Sequence, residues 1–150
     1  MKNLLLIFLI PFIGLSQNTI SDVYFSSSPM SYTTDFYFSS SPMSYTTDFY
    51  FSTYPTPNSI VVYISRSGVG CNVDVSNSPY SWTKDIYFSN SPMSYTKDIY
   101  ISTSPMSYTK DVYITNNISL SDVVICFPRN FDVDLRHISS ILYLKYFSKN

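Results

Sequence analysis

The chain has 150 residues, a formal net charge of −1 and only 13% charged residues. That balance excludes the basic surface that a nucleic-acid backbone demands. Fifteen Tyr and eleven Phe against three Gly favour strands, because aromatic and β-branched side chains pack best on pleated surfaces.

Residues 1–16 read as a secretory signal: Lys2 supplies the positive start, Leu4 to Ile13 the apolar stretch, and Gly14-Leu15-Ser16 the small residues around a cleavage point after Ser16. The expected product is one domain, residues 17–150, placed outside the cell, in a periplasm or at the cell surface. No later segment approaches the roughly 20 apolar residues of a spanning helix, so no membrane span is expected.

From Val23 onward the chain repeats. VYFSSSPMSYTTD begins at Val23, FYFSSSPMSYTTD at Phe36, a degraded FYFSTYPTPNSIV at Phe49, VDVSNSPYSWTKD at Val73, IYFSNSPMSYTKD at Ile86 and IYISTSPMSYTKD at Ile99. Units of eleven residues start at Val62 and Val112, so that three thirteens and one eleven make a second period of 50 residues. Under it Val23 matches Val73, Phe36 matches Ile86, and Val62 matches Val112. Searching for such periods first decides the fold class.

Within a unit the alternation has period two: Phe36 and Phe38 face one side, and Asp35, Tyr37 and Ser39 the other. The strand should stop at Ser-Ser-Ser-Pro, with Ser41 capping a short turn at Pro42 and Met43 to Thr46 making one tight helical turn. The expected tail of the fold is two more strands, Val123 to Phe127 and Leu142 to Phe147. One unit buries too little to offset the ordering of its own backbone, so units must stack on one another. Segments such as FYFSS and IYIST are short, β-prone and uncharged, and on an open edge they would recruit other chains. The fold expected is therefore all-β: a single repeat domain of nine or ten short strands, closed by two circuits of the chain. A small β-solenoid is the alternative, and self-association is the other way to cover edges.

If the chain circles once per 50 residues, second-circuit strands lie between first-circuit strands. Each Lys-Asp entry (Lys84-Asp85, Lys97-Asp98, Lys110-Asp111) would then stand beside a Thr-Asp entry (Thr34-Asp35, Thr47-Asp48). Independent drift of recent duplicates explains the same charge pattern.

These V-Y-[FI]-[ST] units, followed by DVVICFPRNFDVDL (Asp122 to Leu135) and LYLKYF (Leu142 to Phe147), resemble the small bacterial septoil knot family. That resemblance spans nearly all of Ser21 to Phe147. It implies strand repeats whose backbone is wound into a seven-crossing torus knot, and it implies no activity. The Ser-Pro-Met-Ser-Tyr turns depart from the charged, alanine-containing turns of that family.

Candidate chemistry is sparse. Cys71 and Cys126 are the only thiols; in an oxidising setting they form one disulfide, or they are two separate buried thiols. His137 is the sole histidine; metal or acid–base work would need partners at fixed geometry, and a surface or loop histidine is the expected case. No Gly-x-Ser-x-Gly elbow exists, and Arg66-Ser67-Gly68-Val69-Gly70 lacks the phosphate-loop pattern and reads as a turn. No enzyme, cofactor or metal is expected. Two rows remain. The aspartates Asp22, Asp35, Asp48, Asp85, Asp98, Asp111 and Asp122 either ligate calcium or bind backbone amides in turns. The tyrosines Tyr24, Tyr37, Tyr50, Tyr63, Tyr87, Tyr100 and Tyr113 form either an exposed platform or a second face packed under the turns. The leading functional reading is a non-enzymatic structural or interaction protein of unknown partner. The alternative is a repeat surface that binds glycan, calcium or ice.

Overall fold

The computed structural model describes residues 20–148; the signal segment lies outside them. Nine strands alternate with turns: β1 (Asp22–Ser26), β2 (Thr34–Phe38), β3 (Thr47–Ser52), β4 (Ile60–Ser65), β5 (Val73–Ser76), β6 (Lys84–Ser89), β7 (Lys97–Ser102), β8 (Lys110–Thr115) and β9 (Val123–Cys126). All pairings are parallel, and the sheet closes into a barrel in the order β1-β5-β9-β4-β8-β3-β7-β2-β6.

Every strand therefore sits two places round the ring from its predecessor in sequence, and the chain passes round almost twice. First-circuit strands lie between second-circuit strands, as the 50-residue period requires. The lysines do not pair as the charge pattern suggested. Lys97 stands opposite Phe36 and Lys110 opposite Phe49, each one residue past the aspartate, and the ion pairs among the described residues involve only Asp134.

Parallel strands ordinarily need a connection of a dozen or more residues, yet here seven suffice between β1 and β2. The register explains it. Phe25 of β1 lies opposite Ile86 of β6, and Ile86 lies opposite Thr34 of β2. The start of β2 is thus already level with the end of β1, and the turn has only to step over one strand, about 9.5 Å. The same two-residue stagger recurs around the ring except at β4–β9, where the innermost residues Val62 and Val123 are directly opposed. Such a stagger tilts the strands and closes the barrel.

Inward side chains form layers. The layer at the strand starts, Val23, Phe36, Phe49, Val62, Val73, Ile86, Ile99, Val112 and Val123, is fully buried. The next layer, with Phe25, Phe38, Phe51, Ile64, Phe88, Ile101 and Ile114, is only partly covered and packs against the first.

The tenth strand expected at Leu142 to Phe147 is instead helical. α1 (Leu135–Leu142) continues as a wider π-type turn, Tyr143–Phe147, so the fold is mostly β with one short C-terminal helix. Contacts trace its path. His137 lies against Phe25 and Phe88 near the strand ends, Tyr143 against Phe36, and Phe147 against Phe49 and under the Lys110 ammonium at the strand starts. The helix thus runs through the barrel opposite to the strands and buries Ile138, Ile141, Leu142 and Leu144 in the common core. A nine-stranded ring leaves room that strand side chains alone do not fill, and only a helix satisfies its own backbone hydrogen bonds in that apolar space.

The turns differ in detail from expectation. Ser39, not Ser41, caps the strand end: its hydroxyl donates to Ser41 O and accepts from Ser41 N–H. Met43 to Thr46 forms a single hydrogen-bonded turn, Thr46 N–H to Met43 O at 3.1 Å, without a helix.

Candidate functional site

Five of the six long turns end the same way; in the turn before β4, Ser59 accepts from Thr56 N–H and no aspartate follows. The Thr46 hydroxyl accepts from Met43 N–H, and its one proton lies between Met43 O at 2.8 Å and Asp48 Oδ1 at 2.5 Å. The carboxylate, being charged, is the stronger acceptor. Thr33–Asp35, Thr83–Asp85, Thr96–Asp98 and Thr109–Asp111 repeat the bond at 2.6–3.0 Å. Five aspartates of the row are therefore turn locks, whereas Asp122 accepts the Val61 N–H and Asp22 the Ser21 hydroxyl. Asp35, Asp48 and Asp85 are only 8%, 5% and 5% exposed, although the strand alternation put them on the outer face, because the turn folds back over them. Among the described residues no group of three or more His, Cys, Asp or Glu stands close enough to hold a metal ion.

The Tyr row behaves as the outer counterpart of the core. Tyr24, Tyr37, Tyr50, Tyr63, Tyr87, Tyr100 and Tyr113 are all half-buried on the outer side of the strands, intermediate between platform and packed face. A different aromatic set is exposed: Tyr32 (63%), Tyr45 (68%), Tyr95 (64%), Tyr108 (55%) and Trp82 (67%), accompanied by Met30, Met43, Met93 and Met106 at about half exposure. All lie on the turns, which the strand pattern alone marks only as connectors. Their regular spacing in the repeat was the available signal.

Neighbouring turns of opposite circuits enclose open hollows of about 430–550 Å³. Turn residues Pro42 to Asp48 make one with Tyr108 and Lys110. Pro29 to Asp35 make the next with Tyr95 and Lys97. Pro92 to Asp98 share one with Tyr45, and Pro79 to Asp85, including Lys84, share one with Tyr32. The four belong to the turns entering β6, β2, β7 and β3, consecutive in the ring. Each thus repeats one recipe: a proline, a serine, a threonine, the strand-entry carboxylate, and a tyrosine lent by the next turn along. In the turn entering β6, Tyr80 and Trp82 stack with ring centroids 4.8 Å apart.

Cys71 and Cys126 are joined by a disulfide, with Cα atoms 5.6 Å apart. It lies beside the β5–β9 seam, where the ladder has two paired positions, fewer than any other adjacency. The rim at the strand ends is closed by the segment between β9 and α1. Arg66 donates to Pro128 O and Phe131 O at 2.7 and 2.9 Å, while Gly68 and Gly70 take the positive φ that lets the turn before Cys71 reverse.

His137 is structural. It caps α1 together with Asp134, whose carboxylate accepts from the Arg136 and His137 amides, and its ring sits among Phe25, Phe88 and Phe131 at centroid distances of 4.7–5.2 Å. Burial pushes its pKa below the usual 6.5, outweighing the opposing pull of Asp134. Nδ1 lies 3.2 Å from the Asp134 amide, from which it accepts when neutral, and 2.8 Å from Asp134 Oδ1, to which it donates when protonated.

The fold thus defines a closed, all-parallel nine-stranded barrel filled by a helix and stitched by one disulfide, as suits an oxidising compartment. Among the described residues no helix is long and apolar enough to cross a membrane. Comparison with protein-family models, with curated proteins and with solved structures finds no match.

Proposed function

We propose that this chain is a non-enzymatic interaction protein, exported by a bacterium, whose closed barrel is a durable scaffold and whose working surface is the band of turns. The exposure of Tyr32, Tyr45, Tyr95, Tyr108 and Trp82 carries the reading. Large aromatics held in water on rigid turns, in register round half a ring, form a surface suited to a partner. The one histidine is occupied as a cap, and the carboxylates are held by threonine hydroxyls. The test compares wild type with a variant carrying Tyr→Ser at Tyr32, Tyr45, Tyr95 and Tyr108. Wild type should sediment with envelope material of the producing cells and the folded variant should stay in solution. Equal retention of both would reject the band as the working surface.

Membership of the septoil knot family is proposed with it. A chain that steps two places round a ring and passes over one strand of the other circuit each time follows the path of a two-strand torus winding. Pulling a disulfide-free variant from both ends in an optical trap should give a final extension shorter than the full contour of the chain. Extension to the full contour would mean an unknotted thread.

A further inference from the structure

The hollows, rather than the turn aromatics alone, identify the partner, an assignment that rests on the band being the working surface. In three of them the carboxylate belongs to a residue more than nine-tenths buried, Asp35, Asp48 or Asp85. In each, Oδ1 is taken by the threonine two residues back. Oδ2 has no hydrogen-bond partner among the described residues, yet no side-chain oxygen sealed from solvent goes unsatisfied. The second oxygen is therefore an open acceptor in a residue that otherwise lies inside the protein.

Beside each such acceptor stand a tyrosine from the neighbouring turn and a lysine: Tyr95 and Lys97 with Asp35, Tyr108 and Lys110 with Asp48, Tyr32 and Lys84 with Asp85. The lysine balances the carboxylate, so the hollow is close to neutral and selects neither a cation nor an anion. What it offers is an aromatic face for an apolar C–H surface, an acceptor for hydroxyl donors and an ammonium donor for hydroxyl or ring oxygens. A sugar ring is amphipathic in that way: its faces are apolar and its edges polar.

We propose that the row of hollows entering β6, β2, β7 and β3 is a binding site for a neutral polysaccharide chain, with sugar faces on Tyr32, Tyr95, Tyr45 and Tyr108 and hydroxyls donating to the open aspartate oxygens. Repetition of one hollow argues for a polymer. The two-residue stagger and the strand spacing set equivalent points roughly 8 Å apart, so a single small sugar uses one hollow while a chain engages several and gains by effective concentration.

The probes are cellohexaose, xylohexaose, mannohexaose and chitohexaose, with their disaccharides, titrated calorimetrically into the mature, disulfide-bonded protein. At least one hexaose should bind in the micromolar to millimolar range, at least tenfold more tightly than its disaccharide, and equally at low and high salt. Tyr95→Ala with Tyr108→Ala should weaken it at least tenfold while the circular dichroism spectrum is unchanged, since both side chains are more than half exposed. Absence of binding by all four hexaoses, binding that the double substitution leaves intact, or binding that fades with salt would each overturn the proposal. So would self-association through the band, abolished by the same substitutions, without sugar binding. Envelope retention that still depends on the four tyrosines, with no hexaose bound, would remove the glycan and leave the interaction surface standing.

Discussion

Thr46 illustrates how one hydroxyl holds a repeat together. It satisfies a turn amide and a carboxylate at once, so Thr46→Val would leave the Met43 amide and Asp48 Oδ1 without that partner. The expected cost is about 1–3 kcal/mol, read from the urea midpoint; a variant as stable as wild type would show that Asp48 keeps its charge without help. Phe36 and Phe49 are sealed from solvent, and Phe49→Ala should cost about 3–5 kcal/mol. His137 contributes a pH dependence just below neutrality. Its folded pKa lies below the unfolded value, so the unfolded chain takes up the proton first. Its contribution is complete above about pH 6.5 and is lost as pH falls through the folded pKa. Asp134, whose bonds to Arg136 and His137 outweigh its burial and lower its pKa, loses its share only at more acid pH, below the ordinary carboxylate value. Thermal midpoints should therefore decline as pH falls below about 6.5 in wild type and stay flatter over that interval in His137→Gln. A parallel decline in both would assign the effect elsewhere.

Among the elements, the strands were legible and the helix was not. The period-two alternation of Phe36-Tyr37-Phe38 reports directly on which side is dry, and the structure buries that side. Leu142 to Phe147 carries the same aromatic, alternating look, yet its surroundings are the inside of a barrel, and tertiary context overrides local preference. A start signal was present in Asp134, three residues before His137, and the structure uses it as a capping box. The hollows were hidden for another reason: each is shared between turns about 50 or about 63 residues apart, and no local pattern brings those together. The β5–β9 seam is the element to stress. Removing the disulfide with Cys71→Ser and Cys126→Ser frees a loop of 55 residues, worth about 4 kcal/mol by loop-closure entropy. Amides of β5 and β9 should then exchange with deuterium ahead of those in β3 and β8. Uniform acceleration across all strands would mean that the seam is no weaker than the rest.

For the whole molecule, the step of two round an odd ring decides what can be removed. In a solenoid, where each unit touches only its sequence neighbours, losing one repeat is tolerated. Here a strand's ladder partners come from the other circuit. Deleting Phe36 to Asp48, a near copy of the unit before it, leaves eight strands. Steps of two in a ring of eight return to an occupied place after four strands. That deletion should give a chain lacking the sheet signal in circular dichroism; a soluble, cooperatively melting product would show that the winding is not obligatory.

The same parity governs how such a gene can lengthen. Slippage during replication adds one thirteen-residue block at a time, but any chain with an even tally of strands has nowhere to seat the newcomer. A longer chain that keeps this closure must gain blocks two by two, one in each circuit.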